Sequence, residues 1–184
     1  MEFPTTVHDA DAWLLSGSRH GAYDDVPFIP PLEQLIRDIH NARVPMVGIC
    51  FGHQIVAQAL GGKVIKSPRG WNCGRNLYRF GSAEKILNAW HQDEVVAAPP
   101  EAEVVGSSPR CEISMIRYKG KTFTVQPHPE FDDEALKIVM DGPSSKLLTA
   151  KELKSVRDGL GTPHDNAWMA GEITQFLKEA GDSR

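Results

Sequence analysis

With 184 residues, 41% of them apolar and 24% charged, the chain has the composition of a globular protein, long enough for one sizeable core and short for two. A formal net charge of −4, without any lysine/arginine run, excludes the footprint of a nucleic-acid or acidic-membrane binder. Nothing approaches the about eighteen consecutive apolar residues of a spanning helix, and the acidic start MEFPTTVHDAD lacks the basic and apolar regions of a signal peptide, so a cytoplasmic location is expected.

In chain order, AWLLS (12–16) reads as a short buried strand ending in the turn SGSRHG. A helix over 30–42 follows, with Leu32, Leu35, Ile36 and Ile39 at helical spacing behind two prolines. VPMVGI (44–49) is the next buried strand, and 54–60 a helix stopped by Gly61-Gly62. The segments KVIKS, NLYRF, KILNAWHQDEV and EAEVVGSS read as short strands and loops, and CEISMIRYKGKTFTVQPHPE as a hairpin turning near Lys119-Gly120. The C-terminal region, 133–180, is helical, with Thr149 and Glu152 spaced as a capping box. Near-continuous apolar strands alternating with helices predict an α/β sandwich with a mainly parallel sheet. No linker interrupts the pattern, so a single domain over 1–184 is expected.

Cys50, Cys73 and Cys111 are odd in number and form no CxxC pair, which argues against a disulfide framework and a zinc ribbon. Gly48-Ile49-Cys50-Phe51-Gly52 matches the glycine-flanked nucleophile elbow between a strand and a helix. Such a turn lifts the side chain off the sheet and brings strand and helix so close that only small flanking residues fit. The helix N-terminus favours a thiolate, and its unpaired N–H groups suit an oxyanion. A thiol nucleophile needs a base and an orienting group. Val125-Gln126-Pro127-His128-Pro129-Glu130 supplies both at a strand end, with His128 and Glu130 on one side of an extended backbone. His53, His91 and Asp93 match no common metal spacing, and no metal or cofactor is expected. Cys73 lies in a glycine-rich loop beside the pocket, and Trp13, Trp90 and Trp168 read as core.

GICFGHQ with Ala57, Leu60, Gly61 and Gly62, followed by HQDEV and QPHPE, resembles the signature of the class I (triad-type) glutamine amidotransferases, above all the GMP synthase amidotransferase domain and its stand-alone relatives. The likeness covers about residues 11–135, the C-terminal helices matching loosely. It implies a flavodoxin-like three-layer sandwich whose usual first strands are missing, which would leave the AWLLS strand as an exposed edge open to a second copy. It also implies Cys50 as nucleophile on a γ-glutamyl carboxamide, His128 as base, Glu130 as its orienter, and an oxyanion held between the N–H of Phe51 and N–H groups at Ser18 and Arg19. Gly17, Gln54, His91 and Asp93 would meet the substrate. The activity expected is hydrolysis of glutamine to glutamate and ammonia, with a separate ammonia-accepting enzyme as the partner if ammonia is transferred. The alternatives are a γ-glutamyl peptidase acting on glutathione-type compounds and a non-catalytic remnant.

Overall fold

A computed structural model describes residues 2–182; Met1, Ser183 and Arg184, the ends of the expected 1–184 span, lie outside the described residues. The strands are β1 (Trp13–Leu15), β2 (Met46–Ile49), β3 (Lys63–Lys66), β4 (Asn72–Phe80), β5 (Ala83–His91), β6 (Asp93–Ala97), β7 (Ala102–Ser108), β8 (Cys111–Tyr118) and β9 (Thr122–Val125). The helices are α1 (Ile29–Asn41), α2 (Phe51–Ala59), α3 (Asp133–Asp141), α4 (Ala150–Gly159) and α5 (Asn166–Asp182), with a 3₁₀ turn over Pro143–Leu147. Among the described residues the sheet runs β1-β2-β9-β8-β7-β4-β5, with β6 on β8 and β3 on β6.

Alternate residues of the central strands feed two cores. Met46 and Ile116 join Ile36, Ile39, Ile55 and Val56 of α1 and α2 on one face. Val47, Met115 and Phe123 join Met169, Ile173 and Phe176 of α5 on the other. This is the expected helix–sheet–helix layering, produced by the period-two alternation of strand side chains. A third cluster, Trp90, Leu136, Leu148 and Val156, seats α3 and α4 beside β4 and β5. The capping box forms as predicted: Thr149 Oγ1 accepts from the Glu152 N–H, and the Glu152 carboxylate accepts from the Thr149 N–H at 2.7 Å.

The sheet corrects one expectation. It is parallel only across β1, β2 and β9, and antiparallel in every other pairing. Tight turns, which permit only antiparallel neighbours, join the consecutive pairs β4–β5, β7–β8 and β8–β9; Gly81 (φ 56) and Gly120 (φ 103) supply the left-handed residues at two of them. These strands are also longer than the short segments predicted, β4 and β5 spanning nine residues each. As expected, β1 stands at the sheet edge among the described residues, with Leu14 57% exposed.

Candidate active site

The parallel trio fixes the site. Leu15 pairs with Gly48 and Ile49 with Val125, so β1, β2 and β9 end in one row, and the turns leaving them share one crevice. Cys50 follows β2 with φ 54 and ψ −105, the strained conformation required of an elbow, and its N–H still reaches the Val125 carbonyl at 2.9 Å. The flanking glycines are dictated by backbone. A Cβ on Gly48 would lie 2.5 Å from the Gly52 carbonyl oxygen, and one on Gly52 only 2.1 Å from that of Leu15. Phe51 opens α2, so its N–H has no acceptor within the helix.

His128 lies just beyond β9, its Nδ1 2.6 Å from Glu130 Oε1. That contact assigns a proton to Nδ1, and Nε2, the other ring nitrogen, is buried. Burial pushes the imidazole down, but the Cys50 sulfur and the Glu130 carboxylate more than reverse this and hold it up at about 10. A Cβ on Gly17 would meet His128 Cε1 at 3.2 Å and Cys50 Cβ at 4.0 Å, so the turn after β1 closes directly over Cys50 and His128. Cys50, His128 and Glu130 are thus brought to one crevice.

They line a cavity of about 780 Å³ that also takes in Gly17, Ser18, Arg19, Gln54, His91 and Asp93. The N–H groups of Ser18 and Arg19 make no hydrogen bond among the described residues, while the Ser18 hydroxyl accepts from the His20 N–H at 3.1 Å. Gln54 donates both amide hydrogens, to the Asp93 carbonyl (3.0 Å) and to Gln126 Oε1 (3.1 Å), which leaves its own oxygen as an acceptor. Asp93 accepts from the Tyr23 hydroxyl at 3.0 Å, and burial pushes its carboxyl up.

The buried histidines are structural in their bonding. His91 donates from Nδ1 to the Asp93 carbonyl and accepts at Nε2 from Asn72, and burial pushes it down to about 3, so it faces the cavity as a neutral ring. His53 lies between the Thr124 hydroxyl (2.8 Å) and the Ile113 carbonyl (3.0 Å), with its pKa lowered to about 4 by burial. Among the described residues no group of three or more His, Cys, Asp or Glu is placed to hold a metal. Cys73 departs from its expected loop: it sits in β4 against α4, its thiol 3.9 Å from the Glu152 carbonyl and burial raising its pKa to about 11. Trp90 is core and cavity wall at once. Among the described residues no helix is long and apolar enough to cross a membrane.

The family model for glutamine amidotransferase class-I matches residues 3–139. The chain belongs to the class I glutamine amidotransferase family. A glutamine amidotransferase-like protein of Schizosaccharomyces pombe is 31% identical over 92% of this chain and 73% of its own length. Gamma-glutamyl peptidase 3 of Arabidopsis thaliana is 29% identical over 77% of this chain and 63% of its own length, so the chain spans less than two thirds of that relative. The crystal structure of a glutamine amidotransferase from Methylobacillus flagellatus superposes with a TM-score of 0.74 at 23% identity, over 98% of this chain and 76% of that one, which is a likeness of fold.

Within this amidotransferase fold, sequence reasoning missed the supports of the histidine. Its N–H donates to the Asn88 carbonyl on β5 at 2.8 Å. Asn166, at the start of α5 and beyond the matched segment, donates to the His128 carbonyl (3.2 Å) and the Phe131 carbonyl (2.5 Å), and accepts from the Asn88 N–H (3.3 Å). Phe131 stacks on the imidazole, with centroids 4.0 Å apart and planes at 13°. Asparagine at a helix start reads in sequence as a cap; only the tertiary pairing of β5 with this loop gives it a second task.

Proposed function

We propose that this chain is a cysteine hydrolase of γ-glutamyl amides, with glutamine the simplest substrate. The supporting observation is the convergence, at the ends of neighbouring parallel strands, of a strained Cys50 and a His128 oriented by Glu130 at 2.6 Å. In the proposed cycle His128 takes the thiol proton and the sulfur attacks the γ-carbonyl carbon. A C–S bond forms, and the carbonyl pair moves to an oxygen held by the N–H of Phe51 and those of Ser18 and Arg19. The C–N bond then breaks, the nitrogen leaving with the proton from His128 as ammonia or an amine. Water, deprotonated by His128, attacks the thioester; the C–S bond breaks, glutamate departs and the thiol is restored. Gln54 Oε1 and the Asp93 carboxylate are the acceptors assigned here to the substrate's α-ammonium group. Release of ammonia to a separate acceptor enzyme, and a second copy on the β1 edge, belong to this reading as further proposals.

Peptidase action on larger γ-glutamyl compounds is a second reading, favoured by the 29% identity to gamma-glutamyl peptidase 3 and by the cavity of about 780 Å³. A glutamine-mimicking diazo-ketone should label Cys50 in the folded chain, and Cys50→Ser should lose glutamate release by several orders of magnitude. Folded protein that neither labels nor turns over any γ-glutamyl amide would establish the non-catalytic remnant instead.

A further inference from the structure

The cavity has two chemically different walls. One is polar: Gln54, Asp93 and Tyr23, cross-linked by the Gln54-to-Asp93 and Tyr23-to-Asp93 hydrogen bonds. The other is built by Trp71 just before β4, Trp90 near the end of β5, α3 and the 3₁₀ turn. Trp71 and Trp90 pack there with ring centroids 6.1 Å apart, and the Trp90 indole N–H is satisfied by the Ser144 hydroxyl at 3.1 Å. Every cavity-lining residue from α3 and the 3₁₀ turn is uncharged: Val139, Pro143, Ser144 and Leu147. Leu147 is 69% exposed, an apolar side chain left in water at the rim.

The two walls divide the substrate. A γ-glutamyl acyl group carries a charged α-carbon and needs the polar wall. The leaving nitrogen must lie within reach of His128, and His128 is stacked 4.0 Å from Phe131, itself a lining residue that continues toward Val139 and the tryptophans. Ammonia fills about the 30 Å³ of a water molecule and would leave that wall unused. A cavity of about 780 Å³ is the size that holds a drug-sized ligand.

Resting on the reading of the site as a γ-glutamyl amidase, we infer that the wall of Trp71, Trp90, Phe131, Val139 and Leu147 is a leaving-group subsite selecting amines with an apolar or aromatic body. The chemistry is the cycle already given: the C–S bond forms as the C–N bond breaks, and the apolar amine departs with the proton from His128.

The test compares kcat/KM for glutamate release from γ-glutamyl-phenylalanine, γ-glutamyl-glycine and glutamine, with the whole chain and with Leu147→Asp, whose exposed site tolerates charge without loss of folding. The expected result is a preference of about tenfold or more for the phenylalanine over the glycine compound, and a fall of about tenfold in that ratio for Leu147→Asp. Equal rates on the two peptides, a preference for glycine, or a ratio unchanged by the substitution would overturn the subsite while leaving the amidase reading intact. Silence toward all three compounds, in folded chain whose Cys50 reacts with iodoacetamide, would overturn the amidase reading and the subsite with it.

Discussion

Replacing Asn166 with alanine probes whether the C-terminal helix holds His128, the proposed base, in place. The side chain makes three hydrogen bonds, two donated to the loop of His128 and Phe131 and one accepted from Asn88. Their losses are unequal. The Phe131 carbonyl keeps the Asn88 amide at 2.7 Å, and the His128 carbonyl keeps the Phe131 N–H at 3.2 Å. The Asn88 N–H, on the outer edge of β5, is left buried without a partner. One orphaned donor at about 1–3 kcal/mol and two weakened acceptors give about 2–4 kcal/mol of destabilisation, or a Tm lowered by about 5–15 °C. The catalytic effect is separate. With the loop tied to β5 through the His128 N–H and the Asn88 side-chain amide but no longer to α5, a displacement of the imidazole near 1 Å would cost about 10²-fold. Steady-state glutamate release well below the melting temperature, across a pH series, reads this directly: kcat should fall with KM little changed, and the pH profile should shift as His128 leaves Cys50 and Glu130. A variant that melts early yet keeps wild-type kcat and pH profile would refute the positioning role and leave Asn166 purely structural.

Two further predictions concern the scaffold. Gly52→Ala places a Cβ 2.1 Å from the Leu15 carbonyl oxygen, a backbone atom that cannot step aside, and should cost more than about 4 kcal/mol or abolish folding, whereas Gly171→Ala, in α5 with nothing within 4 Å, should raise stability by about 0.5–1 kcal/mol in urea titrations. Acid should weaken the fold through His53 and His91. Their folded pKa values, about 4 and about 3, lie below the ordinary 6.5, so the stability they contribute is present above pH 6.5 and is lost as pH falls through those values. Urea midpoints measured from pH 7 to pH 3.5 should therefore decline, and a flat profile would show that these histidines do not stay neutral in the fold.

Much of the site was legible because its chemistry is carried by short local patterns. The glycine spacing around Cys50 encodes a steric demand that the structure displays atom by atom, and His128 and Glu130 lie close enough in sequence that a strand end alone unites them. Strand direction was not legible. Apolar runs report burial on both faces, and β8, buried along most of its length between β7 and β9, has that character while pairing antiparallel to both. Nor were the supports legible. Asn88 and Asn166 stand 78 residues apart and meet only because α5 begins beside the edge of β5. Trp90 read as core because an aromatic in a strand carries no sign of whether its far side faces protein or a cavity; here it has both.

The edge strand bears on the elbow of Cys50 more directly than an edge ordinarily would. β1 has three residues, and it lies beside β2 with Leu15 opposite Gly48, which puts its carbonyl against Gly52. The elbow therefore packs on the backbone of a strand at the sheet edge among the described residues. That strand is held by the Trp13 N–H on the Pro45 carbonyl (2.8 Å), continuing the ladder, and by the Trp13 indole on the Val7 carbonyl (2.9 Å). The turn that follows it sets Gly17 against both His128 and Cys50. A strain that moves β1 reaches Cys50 through Gly52 and His128 through Gly17, and it also reaches the α1–α2 core, on which Trp13 and Leu15 pack. Trp13 packs on that core as its sequence reading expected, and its two hydrogen bonds also fasten the strand on which the elbow rests.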